Sequence, residues 1–210
     1  MAAPTLEQWL GMWSRIGAAG DGRVVWTQLE RRYREPHRAY HNFDHIGHCL
    51  AEFEAVRKLA ESPEAVELAI WFHDAVYDTH AKDNEEQSAR LAAQFLDEAG
   101  IDAALVSAVG SSILATKHTA PPTSPDAALL VDIDLAILGQ PRERYARFED
   151  EIREEYSWVA SADFAAGRSA ILWRFLERPR VYSCEVFLSR HESLARQNLL
   201  WAIERLRSAS

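Results

Sequence analysis

An apolar segment that ends in two polar residues restricts the fold of this chain more than any other feature. Residues 68–72 read Leu-Ala-Ile-Trp-Phe, and His73 and Asp74 follow directly. A helix made of this segment has no polar face, so it belongs in a protein core. An imidazole and a carboxylate at its end then need hydrogen-bond partners or a cation, because burying them alone is costly. An isolated His-Asp pair is more often a buried histidine with a local hydrogen-bond partner than a metal site. A metal site is therefore predicted only if other segments of the chain also bring in metal-binding residues.

The remaining sequence predicts helices almost throughout. Apolar residues recur at helical spacing, and alternation typical of strands is not convincing anywhere. Ser62 followed by Pro63 is typical of a helix start, and Asp83 with Glu86 forms a capping-box pattern. Hydrophobic residues make up 48% of the chain, with seven Trp and eight Phe, which excludes a disordered chain. We therefore predict one all-α domain over residues 1–210, with about nine or ten helices.

Charge and cysteine content limit the partners that the protein can have. The chain has 23 basic and 32 acidic residues and a net charge of −9, which argues against a general nucleic-acid or anionic membrane surface. No apolar run approaches membrane-spanning length, and the first residues lack the pattern of a signal peptide. Cys49 and Cys184 are the two cysteines, without a CxxC motif. We predict two free thiols and a cytoplasmic location.

Two other segments also carry residues that bind metals. His41 and His45 are four residues apart, on one face of a helix start. Asp132 and Asp134 lie in a predicted helix, residues 127–138, which contains no Lys or Arg to pair with them. Three separate segments thus bring His or Asp toward the core, and a shared divalent cation is the simplest common partner. A mixed set of imidazoles and carboxylates suits Mn, Fe, Co, Ni or Zn better than Ca or Mg, with Mg²⁺ kept as a further option.

These residues resemble a known signature. The order His45, His73-Asp74, Asp134 is similar to the H…HD…D pattern of the HD superfamily of metal-dependent phosphohydrolases, and the resemblance spans roughly residues 38–139. The runs FHDAVYD, DNEEQSA, TKH and DIDLAILG resemble an uncharacterised bacterial branch of this superfamily.

Two segments are also locally similar to better-defined branches. Residues 40–45 resemble the Tyr-His-Asn-x-x-His segment of cyclic-nucleotide phosphodiesterases. Residues 73–79 resemble the His-Asp-x-x-Glu-Asp-Thr segment of guanosine-tetraphosphate hydrolases. Asp78 matches the second acidic residue of that segment, whereas Tyr77 replaces the first. This departure argues against guanosine tetraphosphate as the substrate.

The resemblance implies a fold and a set of metal ligands. The fold would be a helical bundle of the HD-domain type, with a metal-site core over residues 38–139 and C-terminal helices, residues 141–206, packed on it. The ligands would be His45, His73, Asp74 and Asp134. Asp132 remains an alternative to Asp134, because two residues that are two apart on a helix face different ways.

The resemblance also implies roles in hydrolysis. Asp74 would bind the metal and orient a water molecule, and His41 or Asp78 would act as general acid or base. Lys117 and His118 would bind a substrate phosphate, or His118 would bind a second metal ion as in binuclear members of the superfamily. A cation at the end of a helix explains the two residues equally well. The expected activity is hydrolysis of a phosphoester or phosphoanhydride in a small, nucleotide-like substrate.

An alternative function keeps the same residues. The chain would then be a catalytically weak, nucleotide-binding regulatory protein that retains the metal site. The sequence leaves the oligomeric state open, with a homodimer as one option.

Overall fold

The computed structural model describes residues 3–208, and the regular secondary structure within this range is entirely helical. The helical fraction is 70%, which confirms the predicted all-α class and fits a single-domain fold. None of the helices in the described range is both long enough and apolar enough to cross a membrane.

Ten α-helices make up this part of the chain, within the predicted number, and two short 3₁₀ helices accompany them. The 3₁₀ helices are Arg57–Leu59 and Leu135–Gly139. The α-helices are α1 Leu6–Arg15, α2 Arg23–Tyr33, α3 Phe43–Val56, α4 Pro63–Phe72, α5 Asn84–Glu98, α6 Ala103–Ala115, α7 Pro125–Asp134, α8 Arg142–Glu155, α9 Ser161–Leu176 and α10 Glu185–Ser208.

The chain divides into two compact units, the first ending at Ile133 and the second beginning at Asp134. The boundary falls within α7, between its last two residues. The predicted helix over residues 127–138 is α7 followed by the 3₁₀ helix Leu135–Gly139. The proposed partition into residues 38–139 and 141–206 stays a prediction.

Helix α4 forms the centre of the first unit. All its residues from Ala65 to Phe72 are buried, as its lack of a polar face predicts, and it packs against α3, α5 and α6. Trp9 of α1 packs edge-on against Trp71 with 5.4 Å between ring centroids. Glu67 is the charged residue in this run, and its Oε2 accepts hydrogen bonds from Arg15 and Arg57, both at 2.6 Å. These two cations offset the cost of burying the carboxylate.

The second unit is organised around α10, which packs against α8, α9 and the 3₁₀ helix Leu135–Gly139. Asn198 is completely buried in it. The Asn198 amide donates to the carbonyls of Leu138 and Gln140, both at 2.8 Å, and its oxygen accepts from Arg142 at 2.8 Å. Every buried polar group of this side chain therefore has a partner within the unit.

Candidate metal centre

Helix α3 carries the first two members of the centre. Asn42 caps the start of the helix, because its side-chain oxygen accepts the backbone N–H of Asp44 at 2.8 Å. His45 and Cys49 follow on one face, one turn apart. Both are buried, and the Cys49 Sγ lies 3.8 Å from each of the two ring nitrogens of His45. The sequence predicted His45 as a ligand and Cys49 only as a free thiol, which it is.

His73 is held in one orientation at the end of α4. Its backbone N–H donates to the Ala69 carbonyl at 2.9 Å, and its ring Nδ1 lies 2.9 Å from the Ile70 carbonyl. A carbonyl oxygen can only accept a hydrogen bond, so Nδ1 carries a proton. In the neutral ring, Nε2 then carries the lone pair. This arrangement, in which a backbone carbonyl fixes the tautomer, is typical of histidines that bind metal ions.

Three of the predicted ligand atoms converge. The His73 Nε2 is 3.0 Å from the His45 Nε2, and the Asp74 Oδ2 is 3.0 Å from His73 Nε2 and 3.3 Å from His45 Nε2. Atoms that bind one cation at about 2.0–2.1 Å are about 3.0 Å apart at right angles and about 3.4 Å apart at tetrahedral angles. The observed triangle therefore has the dimensions of one face of a coordination shell.

Asp134 joins the same region. Among the described residues, His45, Cys49, His73 and Asp134 form a group whose ligand atoms all lie within 4.8 Å of one another, and this group could hold a metal ion. Asp132 is completely buried and is not a member of the group. The choice of Asp134 over Asp132 as a ligand stays a prediction, which the position of Asp134 in this group supports.

The electrostatics of Asp74 favour the ionised carboxylate. Burial raises the pKa of this carboxyl group, but the neighbouring imidazoles of His73, His41 and His45 together hold its pKa well below the usual value. The carboxylate is thus anionic at neutral pH. An anionic oxygen beside two imidazole nitrogens is a donor set that suits a divalent transition metal.

Arg38 binds the backbone on both sides of the centre, and the sequence did not predict this role. Its side chain is completely buried. One guanidinium nitrogen, Nη1, donates to the carbonyls of Asp74 at 2.7 Å and His41 at 3.0 Å, and Nη2 donates to Ala75 at 3.3 Å. Arg38 thereby connects the segment before α3 to the turn after α4. No spacing rule in the sequence points to carbonyl partners that are 36 residues away.

His41 lies beside the triangle of ligand atoms. Its ring stacks on Tyr77 with 4.2 Å between centroids and meets the His45 ring edge-on at 5.9 Å. This position is compatible with proton transfer at the centre, but the role of general acid stays a prediction.

Asp78 belongs to a turn between α4 and α5. Its side chain is exposed and its Oδ1 accepts the backbone N–H of His80 at 2.8 Å. Its backbone N–H and carbonyl bond to the Asn84 side chain at 3.1 and 2.9 Å. These bonds give Asp78 a structural role in the turn, and its catalytic role stays a prediction.

The predicted phosphate-binding pair follows α6. Lys117 donates to the Lys82 carbonyl at 3.0 Å and forms a close ion pair with Glu86. The Lys117 ammonium lowers the pKa of Glu86, and Glu86 raises the pKa of Lys117. His118 has a backbone φ of 55°, in the left-handed region. Lys117 would have to exchange its carboxylate partner for a phosphate, and the substrate-binding role of both residues stays a prediction.

The fold and the site thus define an all-α protein with a candidate His/Cys/Asp metal centre. No family model matches the chain, and no curated protein or solved structure matches it either. The resemblance to the HD superfamily therefore stays a prediction from the motif residues.

Proposed function

We propose that this chain is a metal-dependent phosphohydrolase of the HD superfamily, acting on a phosphoester or phosphoanhydride of a small, nucleotide-like substrate. The observation that carries the proposal is the triangle of His45 Nε2, His73 Nε2 and Asp74 Oδ2, with sides of 3.0, 3.0 and 3.3 Å. His45 of α3 and two residues just after α4, 28 positions or more further along the chain, supply these atoms. A cytoplasmic location and a small phosphorylated partner are parts of the same proposal.

The residues of the centre would have different roles in such a hydrolysis. His45, His73, Asp74 and Asp134 would hold one divalent ion of Mn, Fe, Co, Ni or Zn, with Mg²⁺ as a further option. When bound, such an ion lowers the pKa of its water and neutralises charge on phosphoryl oxygens. The ionised Asp74 carboxylate would accept a hydrogen bond from the attacking water and so orient it. His41, beside the triangle, would give a proton to the leaving oxygen, since an imidazole exchanges protons near neutral pH.

The alternative, a nucleotide-binding regulatory protein with weak turnover, has one specific observation in its favour. Lys117 is already paired with Glu86 and with a backbone carbonyl, so a substrate phosphate would compete with a carboxylate for this cation. A protein of this kind would bind metal and nucleotide but release little or no phosphate.

Elemental analysis followed by a substrate screen tests the proposal. We expect the purified protein to carry a transition metal and, with Mn²⁺, Co²⁺, Ni²⁺ or Mg²⁺ added, to hydrolyse members of a panel of phosphate esters and nucleotides. His73→Ala and Asp74→Ala should lose metal and at least about 100-fold of the activity, because even loss of groups that only orient a ligand costs about 10–100-fold. Circular dichroism should show that the helices persist.

His48→Gln provides the matched control. His48 is a buried histidine on the same helix as His45, but it lies near Glu52, at 3.6 Å, and outside the metal group. Its substitution should leave the metal content unchanged. Metal and nucleotide binding without phosphate release would favour the regulatory alternative, and full activity in His73→Ala would contradict both functions.

A further inference from the structure

Tyr77 presents the face of its ring to His41, the residue that gives the proton in the proposed hydrolysis. The two rings stack with 4.2 Å between their centroids and 26° between their planes. His41 is partly buried and lies in the turn before α3. Tyr77 follows Asp74 by three residues, in the segment after α4. The stack therefore connects the two segments of the site at the proposed proton donor.

We infer that Tyr77 is a positioning residue, which holds the His41 ring in the orientation from which it protonates the leaving oxygen. This inference rests on the proposed function. In that hydrolysis the water oxygen bonds to phosphorus, and the bond from phosphorus to the leaving oxygen breaks. The leaving oxygen takes a proton from His41, and the attacking water releases one to solvent, from which His41 is reprotonated. A displaced ring would deliver its proton more slowly, because the transfer requires hydrogen-bond reach.

Tyr77 is itself held in place. His37 Nε2 donates to the Tyr77 carbonyl at 2.9 Å, and the two rings are parallel within 6°. The buried guanidinium of Arg38 lies 5.4 Å from the centroid of the Tyr77 ring, within the range of a cation–π interaction. Arg38 also donates to the His41 carbonyl at 3.0 Å. The ring of Tyr77 and the backbone of His41 thus have a common support, so the stack joins two parts that are already fixed.

The competing explanation is that Tyr77 only covers Arg38. In that case a substitution of Tyr77 would act through the stability of the site, and its effect would depend neither on His41 nor on the leaving group. A residue that acts through one partner loses its effect when that partner is removed. The two explanations therefore differ in their kinetics.

NMR spectroscopy of the full-length protein tests the stack without any measurement of activity. Since the His41 ring lies over the face of an aromatic ring, we expect the ring current to shift its proton resonances upfield from those of the exposed His80. Tyr77→Phe keeps the ring and should keep this shift, whereas Tyr77→Leu should lose it. His41 resonances without an upfield shift in the wild type would overturn the inference, even if the leucine variant is unstable.

Rate constants for two kinds of ester test the role in proton transfer. An alkyl phosphate such as adenosine 5′-monophosphate needs a proton on its leaving oxygen, whereas 4-nitrophenyl phosphate releases a stable phenolate. For the alkyl phosphate, we expect Tyr77→Leu to lower kcat by about 10-fold or more with little change in KM, and Tyr77→Phe to stay near the wild type. For 4-nitrophenyl phosphate, both variants should keep most of the wild-type kcat. Tyr156→Leu is the control, because Tyr156 is a partly buried tyrosine of the second unit that stacks on Trp158.

A double-mutant cycle completes the test and separates this inference from the proposed function. His41→Ala should lower kcat for the alkyl phosphate by about 100-fold or more, and adding Tyr77→Leu should cost little further. Equal losses with and without His41, or for both esters, would overturn the inference and leave the phosphohydrolase proposal standing. Hydrolysis of 4-nitrophenyl phosphate alone would do the same, because no proton is then delivered to an alkoxide. Wild-type protein that hydrolyses no ester or nucleotide would overturn both, whatever the NMR spectrum shows.

Discussion

Arg38 supports the candidate centre through the backbone rather than through any ligand atom. Its guanidinium donates hydrogen bonds to the carbonyls of His41 and Asp74, on two sides of the site. It also pairs with the Glu35 carboxylate at 3.0 Å. Its face lies against the ring of Tyr33, 5.2 Å from the centroid. The planar fork of an arginine can serve several acceptors at fixed positions, which the single ammonium of a lysine cannot do.

We predict that Arg38→Lys destabilises the protein by roughly 2–4 kcal/mol, because it keeps the charge but leaves buried carbonyls without donors. Urea unfolding measures this change. Arg34→Lys is the control, since Arg34 is 71% exposed and pairs with Glu30 on the surface, and it should stay within about 0.5 kcal/mol of the wild type. Equal effects of the two substitutions would show that the carbonyl contacts of Arg38 contribute nothing specific.

Residue types and spacing revealed part of this site but not all of it. The positions of His45, His73, Asp74 and Asp134 could be predicted because ligand-type residues in apolar surroundings are unusual. Cys49 also had a signal, since it follows His45 by four residues and must share its face of a helix. Arg38 had none. Its partners are backbone carbonyls, which every residue has, so only the three-dimensional structure identifies them.

At the scale of helices, local rules predicted where α4 begins but not which residue binds the backbone just before it. Pro63 follows Ser62 as expected, yet the Ser62 side chain makes no capping bond. The carboxylate of Asp126, on α7, accepts the N–H groups of Glu61 and Ser62, both at 2.8 Å. Likewise, Asp83 precedes α5 without forming the predicted capping box. Such long-range partners arise from packing, which a local sequence pattern does not contain.

Two glycines in helices of the second unit should respond to alanine in opposite directions. A Cβ at Gly139 would lie 2.4 Å from the Cβ of His191 and 2.9 Å from its Cα, so α10 would have to move. A Cβ at Gly167, in the exposed face of α9, would meet nothing within 4 Å. We expect Gly139→Ala to destabilise by about 1–3 kcal/mol and Gly167→Ala to stabilise by about 0.5–1 kcal/mol.

Thermal and urea unfolding measure the stability of both variants. The glycine-to-alanine change is the same in each, so a difference between them reflects the position. A stable Gly139→Ala protein would mean that the approach of His191 to the 3₁₀ helix Leu135–Gly139 is not close in solution.

At the scale of the whole molecule, two buried phenols determine how stability responds to alkali. Tyr33 and Tyr145 are 1% and 0% exposed. Burial raises the pKa of both side chains above the usual value, and the carboxylates of Asp74 and Glu149, respectively, raise it further. In the unfolded chain, ordinary tyrosines release their phenol protons at about pH 10. The folded protein keeps both protons at that pH.

The sign of the resulting pH dependence follows from proton linkage. Above about pH 10 the folded state binds more protons than the unfolded state, so the free energy of unfolding falls as the pH rises, by about 1.4 kcal/mol per pH unit for each phenol. Below that pH the contribution is constant. We predict that Tyr145→Phe and Tyr33→Phe each make this decline shallower by about 1.4 kcal/mol per pH unit, and that the double variant removes both contributions. Urea unfolding between about pH 8 and about pH 11 measures the slopes. If the variants and the wild type decline in parallel, the two phenols titrate in the folded protein as they do in the unfolded chain, and the burial that the helices impose on them is not maintained in solution.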